Sequence, residues 1–501
     1  MRRPVVLFSL QLVLAALACF GLFRLWRAAL PSQRRLQWVV AAGFLARAVM
    51  GQVLFWISWA RLPVARRLQL GEGMWFFAID GANYYRDALA AATHGVRAIL
   101  ALDRTAQSVM FTQTLASSIW LFGRASSVGL LLNLACYLGM IAIFVRWTAR
   151  EPQTRTAAAV AIIGISLSPS ALLWSLQPLK DTFFQFLFVA FVAACAAWQR
   201  AWTRQDQPAI RFASGILMIL LLPALAAIRW YFGFALLIAA SLFLLLVAIR
   251  SAGRVAVSLA AAAIVIFLLS RGLVIGAGPY LPESVAGVLT PKTAPAAVTK
   301  LPESLAVRVE DARSTFDRIG GQTSIKPAAT AVSVLPAAKP LPVPVAVVSV
   351  TPPPAAEIPP PVAAAVTTTS RIKRLSTGIA VLTIPRSIGQ SLGMFQIGGG
   401  RGMLWFTEID TLVFDVVLLF AASVLVRYLR ASARNPLVWL VLLTTLLVAL
   451  PLAYTVTNFG TLFRLREMIY SGLLLMPLAV MTGAVGEIRD KRSEIRYPSD
   501  L

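Results

Sequence analysis

The chain has 501 residues, 58% of them hydrophobic, a mean hydropathy of +0.76 and a formal net charge of +25. These values exclude a soluble globular domain, because apolar runs of roughly 20 residues recur along the chain and match, as helices, the hydrocarbon thickness of a bilayer. The Arg residues are spread through short segments between those runs, which fits orientation of helices against anionic lipid and not a nucleic-acid-binding arm. His94 lies in a polar segment, and Cys19, Cys136 and Cys195 lie in apolar ones. That pattern leaves no His-based metal site or triad and no disulfide framework.

Arg2-Arg3 before an apolar stretch at 4–23 imitates a secretion signal. Arg24 and Arg27 follow at once, however, and no small-x-small cleavage site is present, so the stretch reads as a retained first helix. Further apolar segments fall at 37–59, 126–146, 156–174, 182–199, 212–229, 233–249, 255–275, 408–427, 437–456 and 467–485. Arg-rich stretches alternate along this series: Arg24 to Arg35, Arg146 to Arg155, Arg200 to Arg211, Arg250 and Arg254, Arg427 to Arg434, and Arg489 to Arg496. The alternation predicts an N-terminus outside and a C-terminus inside. The expected fold is therefore an all-α integral membrane protein of about eleven transmembrane helices with two large extracytoplasmic loops.

Three units follow from this pattern. Residues 1–275 form a membrane module of about eight helices containing the first loop, 60–125. Residues 276–407 form the second loop, whose 303–318 stretch has helical periodicity and whose Pro-rich part, 327–370, reads as an extended or disordered linker. From 379 to 402 that loop turns apolar but is broken by Pro385 and several glycines, as in a re-entrant or interfacial segment. Residues 408–501 form a module of about three helices and a cytoplasmic tail.

On this topology five polar clusters share the outer face: Asp80 with Tyr84 and Tyr85, Lys180-Asp181, Arg229 with Tyr231, Glu408 with Asp410, and Arg464 with Arg466. Asp80 suits a general base that takes the proton from an incoming hydroxyl, and suits equally the N-cap of a helix that Gly95 ends. Tyr84 and Tyr85 fit sugar stacking or an interfacial aromatic belt. Lys180 opposes the dipole of the helix that follows it, which points to a nearby phosphate, while snorkelling to the headgroups is the plainer reading. Arg464 and Arg466 break the positive-inside pattern and offer planar forks that match phosphate oxygens; the alternative is pairing with Glu467. Arg229 makes a similar, weaker case. Glu408, Thr411 and Asp415 share one helix face, with Glu408 at the cavity surface and Asp415 deep enough to need a partner, for which Arg47 is the candidate. Gly398 to Gly402 is not a phosphate loop, since no strand precedes it and no Lys-Ser/Thr closes it.

These features resemble, in their order, bacterial polytopic glycosyltransferases of the GT-C type, which use polyprenyl-phosphate-linked sugars. The resemblance rests on Asp80-x-x-x-Tyr84, Leu121-Phe-Gly-Arg-Ala-Ser126, Pro169-Ser-x-x-x-Trp-Ser175 with Lys180-Asp181, Arg313-x-x-Phe-x-x-x-Gly-Gly-x-Thr323, Glu408, and Asn458-x-Gly-Thr-x-x-Arg-x-Arg466. It implies Asp80 as base, Arg464 and Arg466 as phosphate ligands, and Lys180 and Glu408 as cavity residues. Tyr84, Tyr85, Asp181 and Arg229 join them as expected substrate-binding residues. Two departures stand out: Asp80 follows the second apolar segment, where many relatives place the base after the first, and 327–370 looks like an insertion.

The expected partners are a polyprenyl-phosphate-linked sugar, membrane lipids and a glycan, lipid or protein acceptor, with no nucleic acid. No organic cofactor is implied. A divalent metal held by Asp80 with Glu408 or Asp410 is chemically allowed, but a metal-independent reaction is favoured. The expected location is the bacterial cytoplasmic membrane. A polysaccharide polymerase of the O-antigen type and a flippase or transporter of lipid-linked saccharides are the rival readings.

Overall fold

A computed structural model describes residue 20 and residues 34–102, 108–203, 208–250, 325–327, 368–397, 404–455 and 459–496. Among these residues eight helices are long and apolar enough to cross a membrane. They are α1 (Arg34–Trp59), α5 (Ser127–Arg150), α8 (Lys180–Thr203), α9 (Pro208–Ile228), α10 (Trp230–Arg250), α13 (Leu404–Arg427), α15 (Pro436–Thr455) and α16 (Phe459–Arg496). The protein is thus a multi-pass, all-α membrane protein. A further pair, α6 (Arg155–Leu167) and α7 (Pro169–Ser175), passes the same test together across a 55° bend. These helices match the apolar segments read from sequence except 4–23 and 255–275, which apart from residue 20 lie outside the described residues, as do 303–318 and most of 327–370.

The stretch 60–125 is more ordered than a loop. It holds a hairpin of β1 (Gln69–Gly71) and β2 (Met74–Trp75), then α2 (Ile79–Thr93), α3 (Val96–Leu100) and α4 (Val109–Phe122). As expected, α2 stops before Gly95, whose φ of 86° only glycine adopts without strain. Beyond the Pro-rich region, α11 (Thr368–Thr383) and α12 (Arg386–Ser391) are separated at Pro385, and β4 (Phe395–Ile397) pairs antiparallel with β3 (Ile325–Pro327). The proline has no N–H to continue α11, so the apolar stretch after 379 folds as two helices rather than a span. Between α13 and α15 the chain makes one short helix, α14 (Leu429–Arg434).

The core is set by α16. Its most apolar window is 83% buried, against 28% for α1, so α16 runs through the interior and α1 along the periphery. Aromatic edges join α8 to α10: Phe232 stands edge-on to Phe184 and Phe188, with ring centres 4.6 and 5.0 Å apart.

The bend between α6 and α7 has a chemical cause. Pro169 cannot donate to the Ile165 carbonyl, and the Ser170 N–H turns away to Asp410 Oδ1 at 2.8 Å, which frees the Ser166 carbonyl. Arg47 of α1 takes both orphans, donating to Ile165 O at 2.6 Å and to Ser166 O at 3.1 Å. Its guanidinium lies 4.4 Å from the Tyr137 ring centre. Gly43 makes the approach feasible, since a Cβ there would sit 2.8 Å from the Tyr137 hydroxyl and 3.0 Å from Ser166 O. Arg47 is therefore committed to backbone carbonyls; it is not the partner expected for Asp415.

Candidate functional site

Three helix ends and one loop residue assemble a charged cluster. Asp80 lies in the first turn of α2, Lys180 and Asp181 open α8, Arg229 separates α9 from α10, and Arg464 lies in the second turn of α16. Asp80 is not the N-cap of α2; Ala78 holds that place, with no side-chain cap. Gly81 lets α2 approach the turn before α8, since a Cβ there would stand 3.2 Å from Pro178 O. That contact carries Asp80 toward Lys180 and Asp181.

Arg464 is the centre of the cluster. Its Nη1 donates to Asp80 Oδ2 at 2.5 Å, its Nε to Asp181 Oδ2 at 2.9 Å, and its Nη2 lies 2.8 Å from the same oxygen. Asp181 Oδ1 accepts from Arg229, which also donates to the Tyr231 hydroxyl at 2.7 Å. Lys180 Nζ donates to Ser108 Oγ at 2.5 Å and lies 5.5 Å from the Tyr84 ring centre. The Trp174 ring centre is 5.8 Å from the Arg464 guanidinium. Exposure falls inward: the Asp80 side chain is 41% exposed, Arg464 17%, Arg229 4% and Asp181 3%. Three basic side chains thus face two carboxylates, of which Asp80 is the more accessible, and Lys180 is bonded to a hydroxyl and not to a carboxylate.

Tyr84 and Tyr85 are core side chains, 2% and 5% exposed, which argues against the expected sugar contact and against an interfacial belt. Tyr84 packs edge-on against Phe111 at 5.4 Å, and Tyr85 donates to Arg124 O. Burial pushes both phenols above their ordinary range, with Asp80 adding to the effect on Tyr84. Both remain neutral hydroxyls.

The two arginines expected to act together part company. Positions two apart on a helix are separated by about 200° around its axis, so they face opposite sides. Arg466 binds Asp410, Thr411 Oγ1 at 3.0 Å and Leu382 O at 3.3 Å, and lies between Phe414 and Phe463 at 4.9 and 4.7 Å. Asp410 Oδ1 in turn accepts from Ser168 Oγ at 3.1 Å as well as from Ser170 N. Glu467 is not the partner of either arginine: it accepts from Ser170 Oγ and, at 2.5 Å, from Gln185 Nε2. With its donors satisfied and 3% exposure, Arg466 ties α13 to α16 and is not placed to receive a phosphate. Glu408 also stands apart: its Oε1 accepts from Ser387 N at 2.8 Å, holding the start of α12.

Asp80, Asp410 and Glu408 have three different partners, and no cluster of three or more His, Cys, Asp or Glu is assembled among the described residues. Sequence reasoning passed over Ser108, which carries no charge signal, quoted Trp174 only as part of a motif, and missed the Ser168 and Ser170 contacts to Asp410. Pro169 within an apolar run was the available sign that backbone groups there would need side-chain partners.

No family model matches this chain, and no curated protein or solved structure is significantly similar to it. The functional reading therefore rests on the chemistry of the cluster and on the sequence resemblance.

Proposed function

We propose that the protein is a membrane glycosyltransferase that moves a sugar from a polyprenyl-phosphate donor to an acceptor hydroxyl on an envelope glycan, lipid or protein, at the extracytoplasmic face of the bacterial cytoplasmic membrane. The observation that carries this reading is Arg464 bridging Asp80 and Asp181, which joins the expected base and the expected phosphate ligand in one accessible cluster. In the reaction, the acceptor oxygen bonds to the anomeric carbon as the carbon–phosphate-oxygen bond breaks. The acceptor proton goes to Asp80, and the electron pair leaves with the polyprenyl phosphate. Arg464 and Lys180 stabilise the charge that grows on that leaving group. Asp80 pairs with Arg464. A donor phosphate taking that place would release the carboxylate for base duty. Arg229 keeps Asp181 fixed while this exchange occurs.

The deep charges favour this reading over a transporter. Arg47, Asp410, Arg466 and Glu467 are each tied to protein groups rather than ranged along a path through the bundle. The test uses purified protein, labelled polyprenyl-phosphate sugars and an acceptor extract. Asp80→Asn is expected to lower transfer by about 10²–10⁴-fold, the usual contribution of a general base, with an unchanged melting temperature. Arg464→Gln is expected to abolish donor binding. Full transfer by Asp80→Asn would remove Asp80 from the mechanism.

A further inference from the structure

At the other end of α8 from Lys180, about 30 Å away at 1.5 Å per residue, α5, α8 and α9 enclose a cavity of about 320 Å³. Arg146 and Arg150, one turn apart on α5, and Arg200 on α8 line its polar end. Ala193 and Ala197 of α8 and Leu217 of α9 line the rest, and the alanines leave open the space that larger side chains would fill. Glu151 is buried beside Arg200 at 3.5 Å, whereas Arg146 and Arg150 are exposed and have no carboxylate partner among the described residues. The neighbouring surface of α9 is apolar: Phe212 is 73%, Leu217 42% and Leu220 62% exposed. The cavity therefore adjoins an exposed apolar surface, and its cations stand near the ends of the spanning helices α5 and α8.

We infer that this cavity is a binding site for an anionic glycerophospholipid, with the phosphate at Arg146 and Arg150 and an acyl chain along the alanine face of α8. A free phosphate would use the cations but not the apolar wall, and a neutral lipid would use the wall but not the cations. Only a charged amphiphile matches both ends. The site is independent of the proposed transfer chemistry and stands or falls separately from it.

The test is native mass spectrometry of the full chain released from detergent, titrated with phosphatidylglycerol and with phosphatidylcholine of the same acyl chains. Phosphatidylglycerol is expected to be retained preferentially. Arg146→Gln with Arg150→Gln is expected to weaken it roughly thirtyfold, taking about 1 kcal/mol per arginine near an anionic surface and 1.4 kcal/mol per decade. Phosphatidylcholine binding should not change. Both arginines are exposed, so the variant is expected to melt like the parent, and Ala197→Phe, which fills the apolar part, should reduce phosphatidylglycerol binding without touching a charge. Equal retention of the two lipids, or a preference that survives the double substitution, would overturn the inference. So would displacement of phosphatidylglycerol by glycerol 3-phosphate at similar concentration, since the site would then read a free phosphate.

Discussion

Arg464 and Arg466 differ by two positions, yet their removal should fail in different assays. The decisive perturbation is Asp410→Asn and Arg466→Met, made singly and together. Both side chains are 3% exposed, so each charge has lost its hydration. Two opposite charges 4 Å apart attract by about 4 kcal/mol at an effective dielectric near 20, and desolvation offsets most of that gain. The pair is worth little relative to neutral side chains of similar shape, but either member left alone is a buried, unpaired charge. Each single variant should therefore lose about 3–5 kcal/mol. In the double variant the amide oxygen introduced by Asp410→Asn still accepts from Ser168 and Ser170, and no charge is stranded. Its loss should fall below the sum of the singles by about 3 kcal/mol or more.

Reversible unfolding of the purified protein in mixed micelles, followed by tryptophan fluorescence, measures the cycle. Arg464→Gln is the control. Asp80 is 41% exposed and can be hydrated, and Asp181 keeps Arg229, so little stability should be lost. An interaction energy under about 1 kcal/mol between positions 410 and 466 would refute the argument, because it would mean that water reaches the pair.

Two further outcomes are expected in the same unfolding assay. Arg47→Met removes the donors to Ile165 O and Ser166 O and should cost about 2–6 kcal/mol, at 1–3 kcal/mol per stranded buried group; a loss under about 1 kcal/mol would show that the bend finds other donors. Asn133→Leu strips the donor from Ser175 O at 3.0 Å and removes one of two donors to Gln177 O, which keeps the Leu179 N–H, just before Lys180, and should cost about 2 kcal/mol. It should also lower donor binding, and a variant with lost stability but full donor affinity would separate that turn from the site.

The spans were legible because an apolar run of fixed length has few other uses, and the charge alternation already grouped Asp80, Lys180 and Arg464 at one end. That Arg464 touches Asp80 was not legible, since 384 residues separate them and no local periodicity encodes the contact. The split between Arg464 and Arg466 was present in the helical period and was masked by counting charges per loop. Arg47 was recognised as a deep cation, but its partner was sought among carboxylates. Its partners are carbonyls released by Pro169, a signal carried by the proline rather than by any charge. The end of α2 at Gly95 was legible from the glycine, but α3 and α4 were absorbed into a loop because polarity reports which segments span a bilayer and says nothing of helices too short to do so.

One turn of α16 connects the cluster to the bend. Arg464 reaches α2 and α8, Arg466 reaches α13, and Glu467 reaches Ser170 in α7 and Gln185 in α8. Arg464 and Glu467, three positions apart, share one side of α16 and Arg466 faces the other, so together they fix both the rotation and the height of α16. Neither can change without stranding a buried charge. On the proposed mechanism this rigidity has a use: a donor phosphate competing for Arg464 has to displace only Asp80, the most exposed member of the cluster, while Arg466 and Glu467 hold the helix in place. Preorganisation of that kind leaves the base as the only group that must move when the donor arrives.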